Sequence, residues 1–456
     1  MSDSIHFPVV IVGGGGTGLS AALAAADGGA EVLVIERDVT PLGTTAMSTG
    51  LIPAAGTVEQ AALGIDDSPA LLARDIMAKT KGKTDAGLAL RMAEESADTF
   101  HWLRDTHGVP LAPIDGFLYP GHSVMRMVGT PNRTGGELMA GLEAAAERVG
   151  VVVLTEAVVL ELDTDGERVV GVVIERPDGT IERIGCDTLI LACSGFGGNA
   201  ELVARHIPEM ANAVFHGHPG NRGDAVRWGE ALGAAVADMT AYQGHGGLAV
   251  GHGVPILWPL IMEGGFQVNS GGVRFSNEAT GYSEQAARVN AQPGHVAWSI
   301  FDERLHTLML AFDDYRDALK VGAVVRAATI ANLAETVKLP LTALAQTVAD
   351  VEASTVGRVS DYFGRDFTGK PVLAGPWYAA KVTGALFHTQ GGLVVDGDAR
   401  VLRPDGTPLP NLFAGGGAAR GISGDGADGY MAGNGLLTAT TLGKLAGRAA
   451  ARQISI

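Results

Sequence analysis

Uncharged apolar runs that end in glycine recur along this chain. Phe7–Val12 runs into Gly13–Gly16, Thr188–Ala192 reaches Gly195, and Leu412–Ala414 reaches Gly415–Gly417. Each predicts a strand that stops where the backbone must turn or approach something closely. After the first run, LSAALAAAD (19–27) predicts a helix of small residues, and VLVIE (32–36) a second strand. The last run leads into AGNGLLTATTLGKLAG (432–447), a second small-residue helix. The middle of the chain differs. NRGDAVRWGEALGAA (221–235), IANLAETV (330–337) and LTALAQTVADVEAS (341–354) predict helices around a strand-like GFQVN (265–269). RPDG at 176–179 and again at 403–406 predicts hairpin turns.

At 456 residues, two folding units are expected. A content of 46% hydrophobic and 18% charged residues excludes a disordered chain. A net charge of −17 argues against nucleic acid or an anionic membrane as partner. With only Cys186 and Cys193, a disulfide framework, a zinc knuckle and a c-type haem are excluded. No stretch of 18 uncharged apolar residues exists to span a bilayer, and MSDSIHFPVV lacks the basic start of a signal peptide, so a cytoplasmic location is expected. His216, His218 and His252 lack metal-site spacing, and no metal is predicted.

Gly13, Gly15 and Gly18 form G-x-G-x-x-G between the first strand and the first helix. Gly13 permits the turn, Gly15 admits a pyrophosphate, and Gly18 lets the helix pack on the sheet. Gly16 and Thr17 open that helix, whose N-terminal N–H groups suit phosphate. Glu36, 18 residues after Gly18, is placed to bind ribose, with Arg37 beside it. The pattern predicts an ADP-containing dinucleotide. Gly43, Thr44, Thr45, Ser48 and Gly50 follow at once, small and hydroxyl-bearing, which favours FAD over NAD. The chain has no second complete G-x-G-x-x-G with its own βαβ unit for a nicotinamide. Further cofactor candidates are Ala157, Val158, Ser194, Gly195, Gly417, Asn434, Gly435 and Leu436. No histidine lies in GTTAMSTG (43–50), so the FAD is expected to be noncovalent.

With GHSVMR (121–126), GGELMAGLEAAAERVGVVVLTEAVVLEL (135–162), ACSGFGGN (192–199), GFQVNSGGVRFSNE (265–278) and HTQGGLVVD (388–396), the chain resembles the fumarate reductase/succinate dehydrogenase flavoprotein family. In site pattern it is most similar to the FAD-dependent 3-ketosteroid dehydrogenase branch. The resemblance implies an α/β fold: a Rossmann-like FAD-binding domain of the glutathione reductase type, interrupted by a smaller α+β capping domain. Expected bounds are 1–235 and 381–456 for the FAD domain and 236–380 for the cap.

In the reductases the stretch after RF-x-N/S-E carries a proton-delivering arginine, and a second arginine near the C-terminus holds a substrate carboxylate. Tyr282 and Tyr430 occupy those places here. In the ketosteroid branch, tyrosines polarise a ketone and remove the neighbouring proton. The resemblance therefore implies α,β-desaturation of a cyclic or steroid-like ketone, or the reverse enone reduction, with an unidentified electron acceptor. His388 and Thr389 match residues that bind a substrate carboxylate in reductases, so a substrate with both ketone and carboxylate stays open. His245 and Tyr119 are further candidates, while Ser123 and Arg126 read either as ligand contacts or as a loop anchor. Arg274 and Glu278 read as a structural ion pair. The alternatives are an ene-reductase of an unsaturated carboxylate and a flavin-binding protein without turnover.

Overall fold

The computed structural model describes residues 5–114 and 118–454. It divides into two compact units. The first comprises Met1–Ile207, Gly217–Tyr242 and His388–Ile456; the second comprises Pro208–His216 and Gln243–Phe387.

In the first unit, β1 (His6–Val12), α1 (Gly16–Asp27) and β2 (Val32–Ile35) form the expected strand–helix–strand. Then come α2 (Gly135–Arg148), β3 (Val152–Leu154), β4 (Val158–Asp165), β5 (Arg168–Glu175) and β6 (Ile181–Leu191). Among the described residues the sheet has eight strands. β1 pairs in parallel with β2 (Val9 opposite Val32) and with β6 (Val10 opposite Leu189). β3 joins β2 in parallel, and β4 and β5 form an antiparallel extension on β6. The four central residues Val9–Val12 are buried on both faces, which is why they read as a continuous apolar run and not as an alternating one.

Among the described residues the second unit is built on six strands: β7 (Val214–Phe215), β8 (Tyr242–Ala249), β9 (Phe266–Val268), β10 (Ala297–Asp302), β11 (Val324–Ala327) and β12 (Trp377–Thr389). The helix α3 (Tyr282–Asn290) precedes β10. Its main segment, Gln243–Phe387, overlaps most of 236–380, and the unit also takes in Pro208–His216. The reason is pairing at long range: Val214 and Phe215 lie beside Ala385 and Leu386 of β12.

The chain then returns to the first unit with β13 (Arg400–Leu402), β14 (Pro408–Ala414) and α4 (Asn434–Ile454). β14 enters the main sheet parallel to β6, with Leu412 opposite Leu189. α4 lies against α1 at backbone distance. A Cβ on Gly447 would fall 2.1 Å from the Ala21 carbonyl oxygen, and one on Gly443 2.5 Å from that of Thr17. Gly447→Val should therefore cost about 3 kcal/mol of stability by overpacking. Gly136→Ala, in the open first turn of α2, should leave stability unchanged or raise it by up to about 1 kcal/mol. Thermal unfolding of both variants reads the difference.

Candidate active site

The glycine turn after β1 is shaped by contacts that exclude side chains. Gly13 has φ +104, and a Cβ there would meet the Ala192 carbonyl at 2.6 Å; one on Gly18 would meet the Gly13 carbonyl at 1.8 Å. Gly15, the N-cap of α1, is different. Its Cβ position has only Thr45 Oγ1 near it, at 3.8 Å, so one side of the turn stays open. Open backbone at a helix N-terminus is what a pyrophosphate requires. Glu36 is buried, and its Oε2 accepts the Gly14 N–H at 2.7 Å while Oε1 accepts that of Asp38 at 3.0 Å. These bonds fix the carboxylate beside the turn and leave lone pairs for hydroxyl donors.

The segment 43–50 is held by its own hydroxyls. Thr45 Oγ1 accepts from Gly16 N–H, and Ser48 Oγ donates to the Thr45 carbonyl and accepts from Gly50 N–H. Gly50 has φ +67. Thr44 Oγ1 accepts from Asn221 Nδ2 at 2.8 Å, Arg37 donates to the Gly220 carbonyl at 2.9 Å, and His218 pairs with Asp38. The turn at 218–221 is thus part of the cradle, and sequence reading had missed it. The residues after β3 run alongside, with Ala157 N–H on the Glu36 carbonyl just before Val158 opens β4.

Four separated candidates converge in this unit. Ser194 takes φ +65, and a Cβ on Gly195 would fall 2.0 Å from Thr389 Oγ1. Thr389 is buried, and its hydroxyl accepts the Phe196 N–H. A Cβ on Gly417 would lie 2.9 Å from His388 Nε2. The His388 Nδ1 accepts from Gln390 Nε2 at 2.9 Å, and Gln390 Oε1 accepts from Ser423 Oγ. That network leaves the ring proton on Nε2. Burial pushes the His388 imidazole down to about 4, so it is a neutral donor at pH 7.

Tyr430 is 6% exposed and precedes the first turn of α4. The Cβ position of Gly435 lies 3.6 Å from Tyr430 Oη and 3.7 Å from Gln390 Nε2, so the phenol and the His388 network face one small volume. Leu436 is half-buried beside it. Tyr119 packs on Leu51, Met127 and Ala432, and burial raises its phenol to about 12. It is suited to donating a hydrogen bond and unsuited to acting as a base. Arg126 is buried and bidentate on Asp67 at 3.0 Å, and Ser123 donates to Asp75. Both serve as loop anchors.

In the second unit Tyr282 is the first residue of α3, after Gly281 with φ +152. Its ring lies 5.4 Å from that of His245 and 6.3 Å from Trp258. His245 also stacks on Phe387 and accepts the Gly247 N–H at Nδ1. Burial holds its imidazole down at about 3. Ser283 and Gln285 of α3 reach the strand on either side of His245. Ser283 Oγ accepts Gly244 N–H, and Gln285 holds Gln267, which donates to the Gly246 carbonyl. Trp258, unforeseen from the sequence, is buried with its indole N–H unpaired among the described residues. Arg274 pairs with Glu278 at 2.8 Å and with Asp361, a structural network as expected.

Comparison with known proteins now adds to this geometry. A family model described as "FAD binding domain" matches residues 8–436. The chain belongs to this family. The fumarate reductase (cytochrome) of Shewanella frigidimarina is 30% identical over 97% of the chain and 77% of its own length. The 4-oxocyclohex-2-ene-1-carboxylate 5-dehydrogenase of Sinomonas cyclohexanicum is 30% identical over 70% of the chain and 60% of its own length. The solved structure of 3-ketosteroid-Δ4-(5α)-dehydrogenase from Rhodococcus jostii RHA1, in complex with 4-androstene-3,17-dione, matches with a TM-score of 0.78 and 27% identity, covering 99% of this chain and 98% of that one. The protein is an FAD-dependent oxidoreductase of the fumarate reductase family, whose relatives act on carbon–carbon double bonds. Among the described residues, no helix is long and apolar enough to cross a membrane, and no group of three or more His, Cys, Asp or Glu can hold a metal.

The residues fit FAD. Besides the open turn at Gly15, Asn434 at the start of α4 is fully buried with neither carboxamide atom paired among the described residues. An amide beside the free N–H groups of a helix N-terminus suits a heterocycle edge that carries carbonyls and N–H groups. Asn434→Leu should weaken FAD binding by about tenfold, because a ligand's polar edge loses its partner, while leaving the apoprotein as stable or more so. Fluorescence titration of apoprotein with FAD checks this, and acid precipitation should release all the flavin to the supernatant.

His122 and His388, each held down at about 4, and His245 at about 3, bind fewer protons folded than unfolded below the ordinary value of 6.5. Their contribution to stability is complete above pH 6.5 and is lost as the pH falls toward those values. The unfolding midpoint should drop between pH 6.5 and 5, before carboxylates titrate. A flat midpoint over that window contradicts the assignment.

Proposed function

We propose that this protein desaturates the bond α,β to the carbonyl of a cyclic, steroid-like ketone, or reduces the corresponding enone. The observation that carries the reading is the chemical kind of the groups at the candidate positions. Tyr282 and Tyr430 are phenols at positions where the resemblance to the reductases implies arginines. The other residues available to a carboxylate offer little charge. His388 and His245 are neutral, and the Arg126 charge is already met by Asp67 and Asp75. A dianion stripped of water costs far more to seat among neutral donors than a carbonyl does.

One phenol donates to the ketone oxygen, and this polarisation acidifies the α-carbon. The other phenol takes the α-proton. A free tyrosine, with a pKa of about 10, is a weak base at neutral pH, so the task depends on that polarisation. FAD held by the Gly13–Gly18 turn, Glu36 and Asn434 would supply the acceptor for the β-hydrogen as hydride. Neutral His388, with Nε2–H turned toward Gly417, adds a donor next to Tyr430. We assign cofactor binding to the first unit, including the Gly13–Gly18 turn, Glu36, the 43–50 segment and Asn434. The second unit, which carries Tyr282, is assigned to the substrate.

A second reading, a ring that bears both ketone and carboxylate, is favoured by the retained His388–Thr389 pair. The name of the Sinomonas relative combines the same two groups. The electron acceptor is left open.

The deciding experiment is anaerobic bleaching of bound flavin by a panel of saturated cyclic ketones, ring keto acids and succinate-like acids. Ketones or keto acids should bleach it. Tyr282→Phe and Tyr430→Phe should each slow bleaching by at least about a hundredfold, in the range expected for losing a general acid or base, while FAD stays bound. Bleaching by the dicarboxylic acids alone, indifferent to both substitutions, refutes the proposal.

A further inference from the structure

We propose that His122 is a positioning residue for Tyr430: a neutral imidazole that fixes the loop carrying the phenol to a buried ion cluster. This rests on the reading that Tyr430 acts on the substrate.

The cluster is anchored at one end by two carboxylates. Arg126 is forked onto Asp67 through Nε and Nη2, both at 3.0 Å, and its Nη1 reaches Asp75. Asp75 is itself held by the backbone N–H and the hydroxyl of Ser123, at 2.9 and 2.8 Å. The same Arg126 Nη1 donates to His122 Nδ1 at 3.2 Å. On the far side of the ring, His122 Nε2 lies 2.9 Å from the carbonyl oxygen of Ala432, two residues beyond Tyr430.

Each end of the ring dictates the same tautomer. Arginine only donates, so Nδ1 must keep its lone pair; a carbonyl only accepts, so Nε2 must carry the hydrogen. A protonated ring would set a second N–H against the guanidinium. Burial and that neighbour hold the imidazole down at about 4. His122 therefore keeps one hydrogen-bonding state across the physiological range.

The loop it holds has little other freedom. Gly121 has φ +88, and a Cβ there would press on Met431 Cγ at 2.8 Å. Gly433 has φ +82, with its Cβ position 2.6 Å from Pro53, and a Cβ on Gly429 would fall 1.9 Å from the Ser423 carbonyl. To these close contacts and the Tyr430 N–H bond to the Ala427 carbonyl at 3.3 Å, the His122–Ala432 bond adds a directional side-chain tie. Buried ion clusters are weak sources of stability, which makes a geometric use of this one reasonable.

The test is a double-mutant cycle with the ketone that bleaches flavin fastest. His122→Asn retains an acceptor for Arg126 but falls short of Ala432. His122→Gln retains a donor at about the reach of Nε2, and His122→Phe removes both bonds. Asn and Phe should lower kcat by about tenfold with KM, FAD content and absorbance unchanged, since small displacements of a reacting group are costly; Gln should recover most of it. In a Tyr430→Phe background, His122→Asn should change kcat by less than about twofold, because coupled residues are not additive. Equal losses in both backgrounds, or Gln no better than Asn, overturn the positioning role. If His122→Phe does not fold, the Asn and Gln pair still decides. Failure of the underlying reading looks different: Tyr430→Phe alone would leave kcat intact.

Discussion

The first unit depends on the crossing of α1 and α4. Gly443 and Gly447 bring the last helix against the backbone of the first, at distances no side chain tolerates. That contact returns the end of the chain to its beginning. It brings β14 into the main sheet beside β6, and it sets Gly415 and Gly416 against Thr17 in the first turn of α1. Tyr430, Asn434 and Gly435 stand at the start of the same helix, so their positions follow from the packing of its far end. Small residues in α1 and α4 are therefore what lets one cofactor cradle be assembled from segments 400 residues apart in order of magnitude.

What could be read from the sequence follows the range of each constraint. The cradle at Gly13–Gly18 was legible because its turn, open backbone and helix start are local, and each glycine has a local steric reason. The family was legible because several such segments occur in order. The gathering of Gly195, Gly417, His388 and Thr389 was visible only as separate candidates, since the contacts span most of the chain. The turn at 218–221 carried no signal, because its ties to Arg37, Asp38 and Thr44 are backbone carbonyls and side chains meeting at long range. Trp258 was missed for the same reason: nothing in ILWPL marks an indole N–H that ends up buried and unpaired. Arg126 was ambiguous until Asp67 and Asp75 were seen to face it.

The electrostatic character of the candidate groups runs through both units. His122 and His245 are buried and His388 half-buried; His122 is bonded through both ring nitrogens, His388 and His245 each accept at Nδ1, and all three are held neutral. Such groups donate a hydrogen bond without adding a charge. A carbonyl oxygen gains from them, and a carboxylate gains much less than it would from arginine. The phenols of Tyr282 and Tyr430 are of the same neutral kind, which supports the proposed recognition of a carbonyl.

Transfer of hydrogen from the carbon β to a ketone is the central claim, and isotopic substitution at that carbon tests it most directly. Anaerobic flavin bleaching would be followed with a saturated cyclic ketone carrying hydrogen or deuterium at the β-position. The expected result is a rate several-fold slower with deuterium. A ketone that bleaches the flavin at the same rate with either isotope, in a step shown by single turnover to be the chemical one, would contradict it.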